Sequence, residues 1–310
     1  MDNQNPLFIM HIMDGYSFRN TIGIIKSETE HATMVLSDKL IEISFLNTLK
    51  RAVHKILFYP QEFIVYRYSI RDEGGNMVKE YPIAFDTNEM FNTMKGIGRR
   101  DGIRLYWLPG DNKINIQPIK MSTKDPGRAG ALFVKILPLE HVRYEVNVYD
   151  PEPNVRVQAK DFADLCSQAN TLKCTSLEII GHNSSVTFKG IHANQTMASI
   201  NRFVSQTETS NSNSQPMVAS NINDIYDLMD NFNISDTYDS NHLSTGLRLN
   251  IVNNDNLSNA KVPISTIKAL SKIHNISPPG TLLRFFFKQG NPTKIESPIG
   301  TYGLYTICLR

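Results

Sequence analysis

A chain of 310 residues with 41% apolar content is long enough for two domains, each burying its own core. Its three cysteines, Cys166, Cys174 and Cys308, are odd in number and lack any CxxC or Cys/His pattern at zinc spacing, which argues against disulfide staples or a structural metal and for a reducing compartment. No apolar run reaches the roughly 18 residues of a membrane span, and MDNQNPLF has neither a basic region nor a hydrophobic signal core, so an intracellular, non-secreted protein is expected.

Taken in order, Pro6 to Asn47 runs through strand, helix, strand, tight polar turn and strand. Ala52 to Tyr59 and Phe63 to Ile70 read as strands, followed by the turn Asp72-Glu73-Gly74-Gly75-Asn76. Asp86 is placed to cap a helix with Met90, Phe91 and Met94 on its apolar side, stopped by Gly96 and Gly98. Ile103 to Leu108 and Ile114 to Ile119 form a hairpin around Pro109-Gly110-Asp111-Asn112, residues 121 to 130 a loop, and Ala131 to Leu137 a further strand. Pro138 to Pro153, rich in proline and acids, reads as a connector, with the interdomain segment set at 140 to 153 between domains at 1 to 139 and 154 to 310.

From Asn154 to His192 the first pattern returns. Asn154 to Ala159 alternates, Phe162, Leu165, Cys166 and Ala169 fall at helical spacing, and Ser176 to Ile180 and Val186 to Ile191 resume the period of two. This near copy of the opening unit makes the chain a tandem duplication of α+β class. Gln195 to Val204 follows as a strand, then Ser205 to Ser244, rich in Ser and Asn, where six acids and no Lys or Arg lie between Ser205 and Asn241. Such composition does not repay the entropy of ordering and reads as a mobile surface insertion. A strand at Leu247 to Val252, a helix from Pro263 to His274 with Pro263 in its first turn, a hairpin of Leu282 to Lys288 and Lys294 to Ile299, and a last strand near Tyr302 to Leu309 complete the chain.

No catalytic constellation emerges, and a non-enzyme without cofactor or metal is expected. Gly96-Ile97-Gly98 is a lone GxG at a helix end rather than after a strand, no GxxxxGK is present, and the eight histidines form no HExxH. Acid pairs such as Asp161 with Asp164 sit where Asp caps helices. What remains is charge. The whole chain carries only +2, but the acidic insertion leaves the rest modestly basic. With each helix packing its apolar stripe on a sheet, the free faces offer Arg19 and Lys26, then Lys95 followed by Arg99 and Arg100, then Lys160 and Lys173, then Lys268 and Lys272.

The repeat, the connector and the helix charges together resemble the sliding clamps of the proliferating cell nuclear antigen (PCNA) type. DGYSFRNTIGIIKSE looks like the first clamp helix, TNEMFNTMKGIGRRDGIRLYW the second, KDFADLC the opening of the third with Phe162, Ala163 and Cys166, and PISTIKALSKI the fourth. The stretch KILPLEHVRYEVNVYDPEPNVRVQAKDF lies on the family's connector without a gap. One departure is that Asp164 and Ser167 stand where the third helix of the family commonly carries arginines toward DNA.

The resemblance implies a DNA clamp fold: two tandem domains, helices on one face of antiparallel sheets, assembling as a ring, usually a homotrimer, around double-stranded DNA. It implies a processivity factor that tethers a DNA polymerase and other replication and repair proteins, is placed by a clamp loader, contacts no membrane, and works in the nucleus or at a cytoplasmic replication site. Divergence, Asn richness and the insertion suggest a large DNA virus. By position, Arg19, Lys26, Lys95, Arg99, Arg100, Lys160, Lys268 and Lys272 would meet DNA. Leu46, Tyr144, Val146, Pro292, Ile307 and Leu309 would line a partner pocket, and Ala131, Phe133 and Ile136 of one subunit would pair with Met197 and Ile200 of the next. The alternatives are a clamp-fold transcription or scaffold protein that closes no ring and, third, an enzyme with an unrecognised site.

Overall fold

The computed structural model describes residues 5–120, 131–146, 152–194, 197–204 and 257–310. The predicted loop at 121 to 130, the later part of the connector, the insertion from Ser205 to Ser244 and the strand at Leu247 to Val252 lie outside them.

The described chain is built from four βαβββ units. The first is β1 (Phe8–Ile12), α1 (Gly15–Glu28), β2 (His31–Leu36), β3 (Ile41–Leu46) and β4 (Ala52–Phe58). A short extra strand, β5 (Val65–Tyr68), precedes the second unit: β6 (Tyr81–Asp86), α2 (Thr87–Thr93), β7 (Gly102–Trp107), β8 (Lys113–Ile119) and β9 (Leu132–Lys135). The third unit is β10 (Val155–Gln158), α3 (Ala159–Thr171), β11 (Ser176–Gly181), β12 (Ser185–Ile191) and β13 (Met197–Val204). The fourth is β14 (Ser258–Pro263), α4 (Ile264–Leu270), β15 (Leu282–Phe286), β16 (Thr293–Ile299) and β17 (Gly303–Leu309).

Every pairing among these strands is antiparallel. They form three sheets, ordered β5-β1-β7-β8-β9, β10-β15-β16-β17-β4-β3-β2-β6 and β13-β12-β11-β14. The order contains an exchange. The leading strand of each unit joins the sheet of its partner unit: β1 pairs with β7 and β6 with β2, β10 with β15 and β14 with β11. The two halves of the chain meet where β4 pairs with β17.

Two strands, β6 and β14, are not announced by the sequence pattern. Both are outermost in their sheets. β6 contains Pro82, which removes a ladder donor and is tolerated on an edge, and β14 is SNAKVP, with little β-branched character to announce it. The fourth helix is also shorter than expected. Pro263 is its N-cap rather than its first turn, the α-helix ends at Leu270, and a separate 3-10 turn spans Ile273–Asn275.

Helix starts follow local chemistry. The Asp14 carboxylate accepts from Ser17 N at 2.9 Å to open α1, and that of Asp86 from Glu89 N at 2.8 Å to open α2, as its spacing predicted. The apolar stripes then bury: Phe18, Ile22 and Ile25 of α1 and Phe162, Ala163 and Cys166 of α3 are all at most 1% exposed. On β11, Gly181 admits the Phe287 ring, because a Cβ there would lie 2.1 Å from Phe287 Cδ1. Gly181→Ala is therefore expected to overpack the core and cost about 1–3 kcal/mol, read as a lower urea midpoint; an unchanged midpoint would refute the contact.

A buried polar cluster joins the halves. Glu28, at the end of α1, accepts through Oε2 from Asn47 Nδ2 (3.2 Å) and from Thr266 Oγ1 of α4 (3.0 Å). His54 Nε2 of β4 lies 3.8 Å from the same oxygen, its Nδ1 is 2.7 Å from the Tyr305 hydroxyl of β17, and Phe45 stacks on its ring. Burial holds the Glu28 carboxyl above its ordinary value, against the Asn47 and Thr266 hydrogen bonds, and drives His54 down to about 3.

Candidate nucleic-acid interface

The four helices form one row. α1 packs against α2 on one side and α4 on the other, and α4 packs against α3, giving the order α2, α1, α4, α3. Their apolar stripes face the sheets, so the remaining faces present one continuous polar surface.

The predicted cations are not equivalent on it. Lys95, Arg99, Arg100, Lys268 and Lys272 are exposed. Lys26 is half-buried, its ammonium 4.9 Å from the centre of the Phe91 ring. Arg19 is engaged by the protein itself: Nη1 donates to Ile97 O at 2.6 Å, Nη2 to Asn20 Oδ1 at 3.1 Å, and the guanidinium sits 4.5 Å over Tyr16. Arg99 lies 5.8 Å from the same ring. The Asn20 side chain, and then these two guanidinium groups, hold the Tyr16 hydroxyl below the usual tyrosine range, with burial opposing them.

On α3, Lys160 Nζ is 3.2 Å from Asp164 Oδ2 one turn on, so its charge is offset on the helix surface. Ser167 turns its hydroxyl back to Ala163 O at 2.9 Å. Lys173 is exposed and takes a positive φ of 57° just beyond the helix. The row is thus cationic at α2 and α4 and close to neutral at α3.

The predicted pocket residues divide in two. Leu46, Tyr144, Val146 and Pro292 are half-buried, whereas Ile307 and Leu309 are 0% and 2% exposed and belong to the core of the eight-stranded sheet, so the expectation that they line a surface pocket is corrected. β17 is buried at every position but Leu304, so both of its faces are covered. The connector is held by contacts the sequence did not announce. Arg143 reaches Glu80 at 3.2 Å and Glu42 at 3.6 Å, Glu42 also pairs with Lys55 at 3.4 Å, and Tyr144 N lies 3.5 Å from Ser44 Oγ. Hydrogen bonding to Glu80 is the first cause of the raised Arg143 value. Glu42 and Ser44 are buried polar residues in the middle of a strand, which was the available signal.

The predicted interface residues fall on two sheet edges, one in each half. β9, with Ala131 just before it and Ile136 just after, is outermost in the first sheet, and β13, containing Met197 and Ile200, is outermost in the third. Phe133 is 56% exposed, with Lys113 Nζ 4.9 Å from its ring centre; Ala131 is exposed and Ile136 half-buried. Among the described residues no group of three or more His, Cys, Asp or Glu could hold a metal ion, and no helix is long and apolar enough to cross a membrane.

This architecture is the PCNA-type clamp fold: among the described residues, antiparallel sheets carry a row of helices. Among solved structures, the proliferating cellular nuclear antigen of Entamoeba histolytica superposes with a TM-score of 0.65 at 11% identity, covering 98% of each chain. The PCNA2-PCNA3 complex of Sulfolobus tokodaii superposes with a TM-score of 0.62 at 10% identity, covering 97% of this chain and 99% of that one. The chain matches no protein-family profile and no curated protein sequence.

Proposed function

We propose that the chain is a subunit of a ring-shaped sliding clamp, a non-enzymatic processivity factor that encircles duplex DNA and tethers a polymerase and other replication and repair proteins. The observation that carries the reading is the helix row with Lys95, Arg99, Arg100, Lys268 and Lys272 exposed on or just beyond it, in a fold whose two halves have, among the described residues, β9 and β13 as outermost strands. Residues 1 to 139 and 154 to 310 act as two clamp domains. Pairing β9 of one subunit with β13 of the next removes both exposed edges, and such a head-to-tail contact closes into a ring when its rotation is a simple fraction of a turn, here a third. Cations aimed at phosphates attract without reading sequence, which suits a protein that slides, and topology retains it there.

Partners would dock at the connector beside Leu46, Tyr144, Val146 and Pro292. The deciding experiment is size by light scattering together with polymerase processivity on primed circular DNA in the presence of a clamp loader. A monomer at micromolar concentration that leaves processivity unchanged would refute the reading. Phe133→Asp places a charge on the exposed ring at the β9 edge, and is expected to weaken assembly about tenfold or more, seen as a shift toward monomer; an unaltered oligomer would count against this edge.

One observation favours a second reading, a clamp-fold scaffold that closes no ring. The pairing of Lys160 with Asp164 leaves the α3 quarter without net cationic character. That reading expects a monomer with weak DNA affinity.

A further inference from the structure

Between α2 and β7 the chain makes a turn that carries Arg99 and Arg100, and each of its flanks is tied down. Lys120 Nζ donates to Gly96 O at 2.9 Å, and Arg19 Nη1 to Ile97 O at 2.6 Å. The Ile97 side chain is fully buried. Gly98 N donates to Asp101 Oδ2 at 2.7 Å, the same oxygen receives Lys120 Nζ at 2.5 Å, and Asp101 N donates back to Gly98 O at 3.2 Å. Gly15 N, at the start of α1, donates to Asp101 O at 3.0 Å. Asp101 is 5% exposed, and Arg99 and Arg100 are exposed. Burial alone would raise the Asp101 carboxyl, but the Lys120 ammonium and the Gly98 amide outweigh it and keep the group below its ordinary value.

We infer that Asp101, Lys120 and Arg19 are positioning residues that hold Arg99 and Arg100 as a preset pair of contacts for the phosphate backbone of duplex DNA. The inference rests on the clamp reading and adds to it a division of labour: Arg19 and Lys120 spend their charge on the carbonyls and carboxylate of the turn, and the two arginines meet the nucleic acid. A flexible loop would lose side-chain and backbone freedom on binding; a turn fixed in advance does not.

The test uses a sign that bulk electrostatics gets the other way round. Asp101→Asn removes a negative charge beside a basic surface, so a pure charge effect predicts tighter binding to a polyanion. Positioning predicts weaker binding of a 30-base-pair duplex of mixed sequence, by about fivefold or more at 0.15 M salt, and a salt slope shallower by up to about 1.8 as two phosphate contacts are lost. Lys120→Met is the second variant. As a lone contact it would reduce the slope by about 0.9; as a positioning residue it reduces it by more. In the Arg99→Ala/Arg100→Ala background neither change is expected to have a further effect, since all act through one contact. Amide hydrogen exchange from Gly98 to Asp101 should accelerate in both variants with the thermal midpoint recorded alongside.

Equal or tighter binding by Asp101→Asn, a Lys120→Met slope change no larger than one cation accounts for, or unaltered exchange across the turn would each overturn the inference while leaving the clamp reading intact. Absence of duplex binding by the wild-type protein would overturn the inference but not the clamp reading, which rests retention on topology and fails instead on a monomer that leaves processivity unchanged; insensitivity to reversing Lys95, Arg99 and Arg100 would overturn both.

Discussion

The triple variant Lys95→Glu/Arg99→Glu/Arg100→Glu is expected to lose most of its affinity for duplex DNA while retaining its oligomeric state. Three neutralised phosphate contacts account for about 2.7 in the slope of log affinity against log salt, equivalent to roughly a fortyfold loss between 50 and 200 mM salt for those contacts alone, and reversal adds repulsion to their removal. The three residues are exposed and outside the core, so the fold should not suffer. Lys160→Glu is the internal comparison. Because Asp164 already offsets Lys160, this change should alter affinity much less. Titration of a labelled duplex at several salt concentrations reads both, and equal losses for the two variants would mean that the α2 end of the row is not special.

The second large effect lies in the buried cluster. Removal of the Glu28 side chain by Glu28→Ala takes the shared acceptor from Asn47 Nδ2 and Thr266 Oγ1 and opens a cavity beside His54, and is expected to cost about 2–5 kcal/mol. The milder Glu28→Gln exposes the pH dependence. In the folded protein burial disfavours the charged form of both groups, raising Glu28 and lowering His54. The unfolded chain carries two protons on these groups below 4.5, one between 4.5 and 6.5, and none above 6.5, the ordinary values of the two side chains.

Linkage then sets the signs. The depressed His54 contributes stability that is lost as pH falls from 6.5 toward 3, and the raised Glu28 contributes stability that is lost as pH rises above 4.5. The two effects oppose each other as pH rises above 4.5, so the rise in stability that His54 alone would give toward 6.5 is flattened in the wild-type protein. In Glu28→Gln only the histidine slope remains, so stability should rise to about 6.5 and then stay level. Urea unfolding across pH 4 to 8.5 measures the difference. An equally steep rise between 4.5 and 6.5 in both proteins would exclude a raised Glu28 carboxyl.

Much of the fold was legible because its signals are local. Asp86 caps its helix from three residues away, and the stripe of Phe162, Leu165, Cys166 and Ala169 is set by helical period alone. β6 and β14 escaped because an edge strand is defined by a distant neighbour: Pro82 and the polar run SNAKVP become strands only by pairing with β2 and β11. The candidate interface divides the same way. Which residues are cationic is plain in the chain, but whether a cation is free depends on contacts across it. Arg19 was expected to face DNA like Lys95, and its tie to Ile97 O, 78 residues on, could not be seen from either segment. Ile307 and Leu309 read as pocket residues from position alone, and their burial depends on β17 lying inside the eight-stranded sheet between β16 and β4.

By itself, then, the amino-acid order determined the α+β class, the repeated strand and helix pattern, the acidic character of the insertion and the set of cations on the helix faces, since periodicity, capping and charge are properties of neighbours in the chain. Tertiary structure alone decided the exchange of leading strands between units, the helix order α2, α1, α4, α3, and the pinning of the Arg99 and Arg100 turn by Lys120, Asp101 and Arg19. It also decided that Glu28 and His54, 26 positions apart, meet in one buried site with Thr266 and Tyr305 from the far end of the chain. The reason is physical: a hydrogen bond or an ion pair is won only when folding brings its partners within about 3 to 4 Å, and no local pattern encodes that distance.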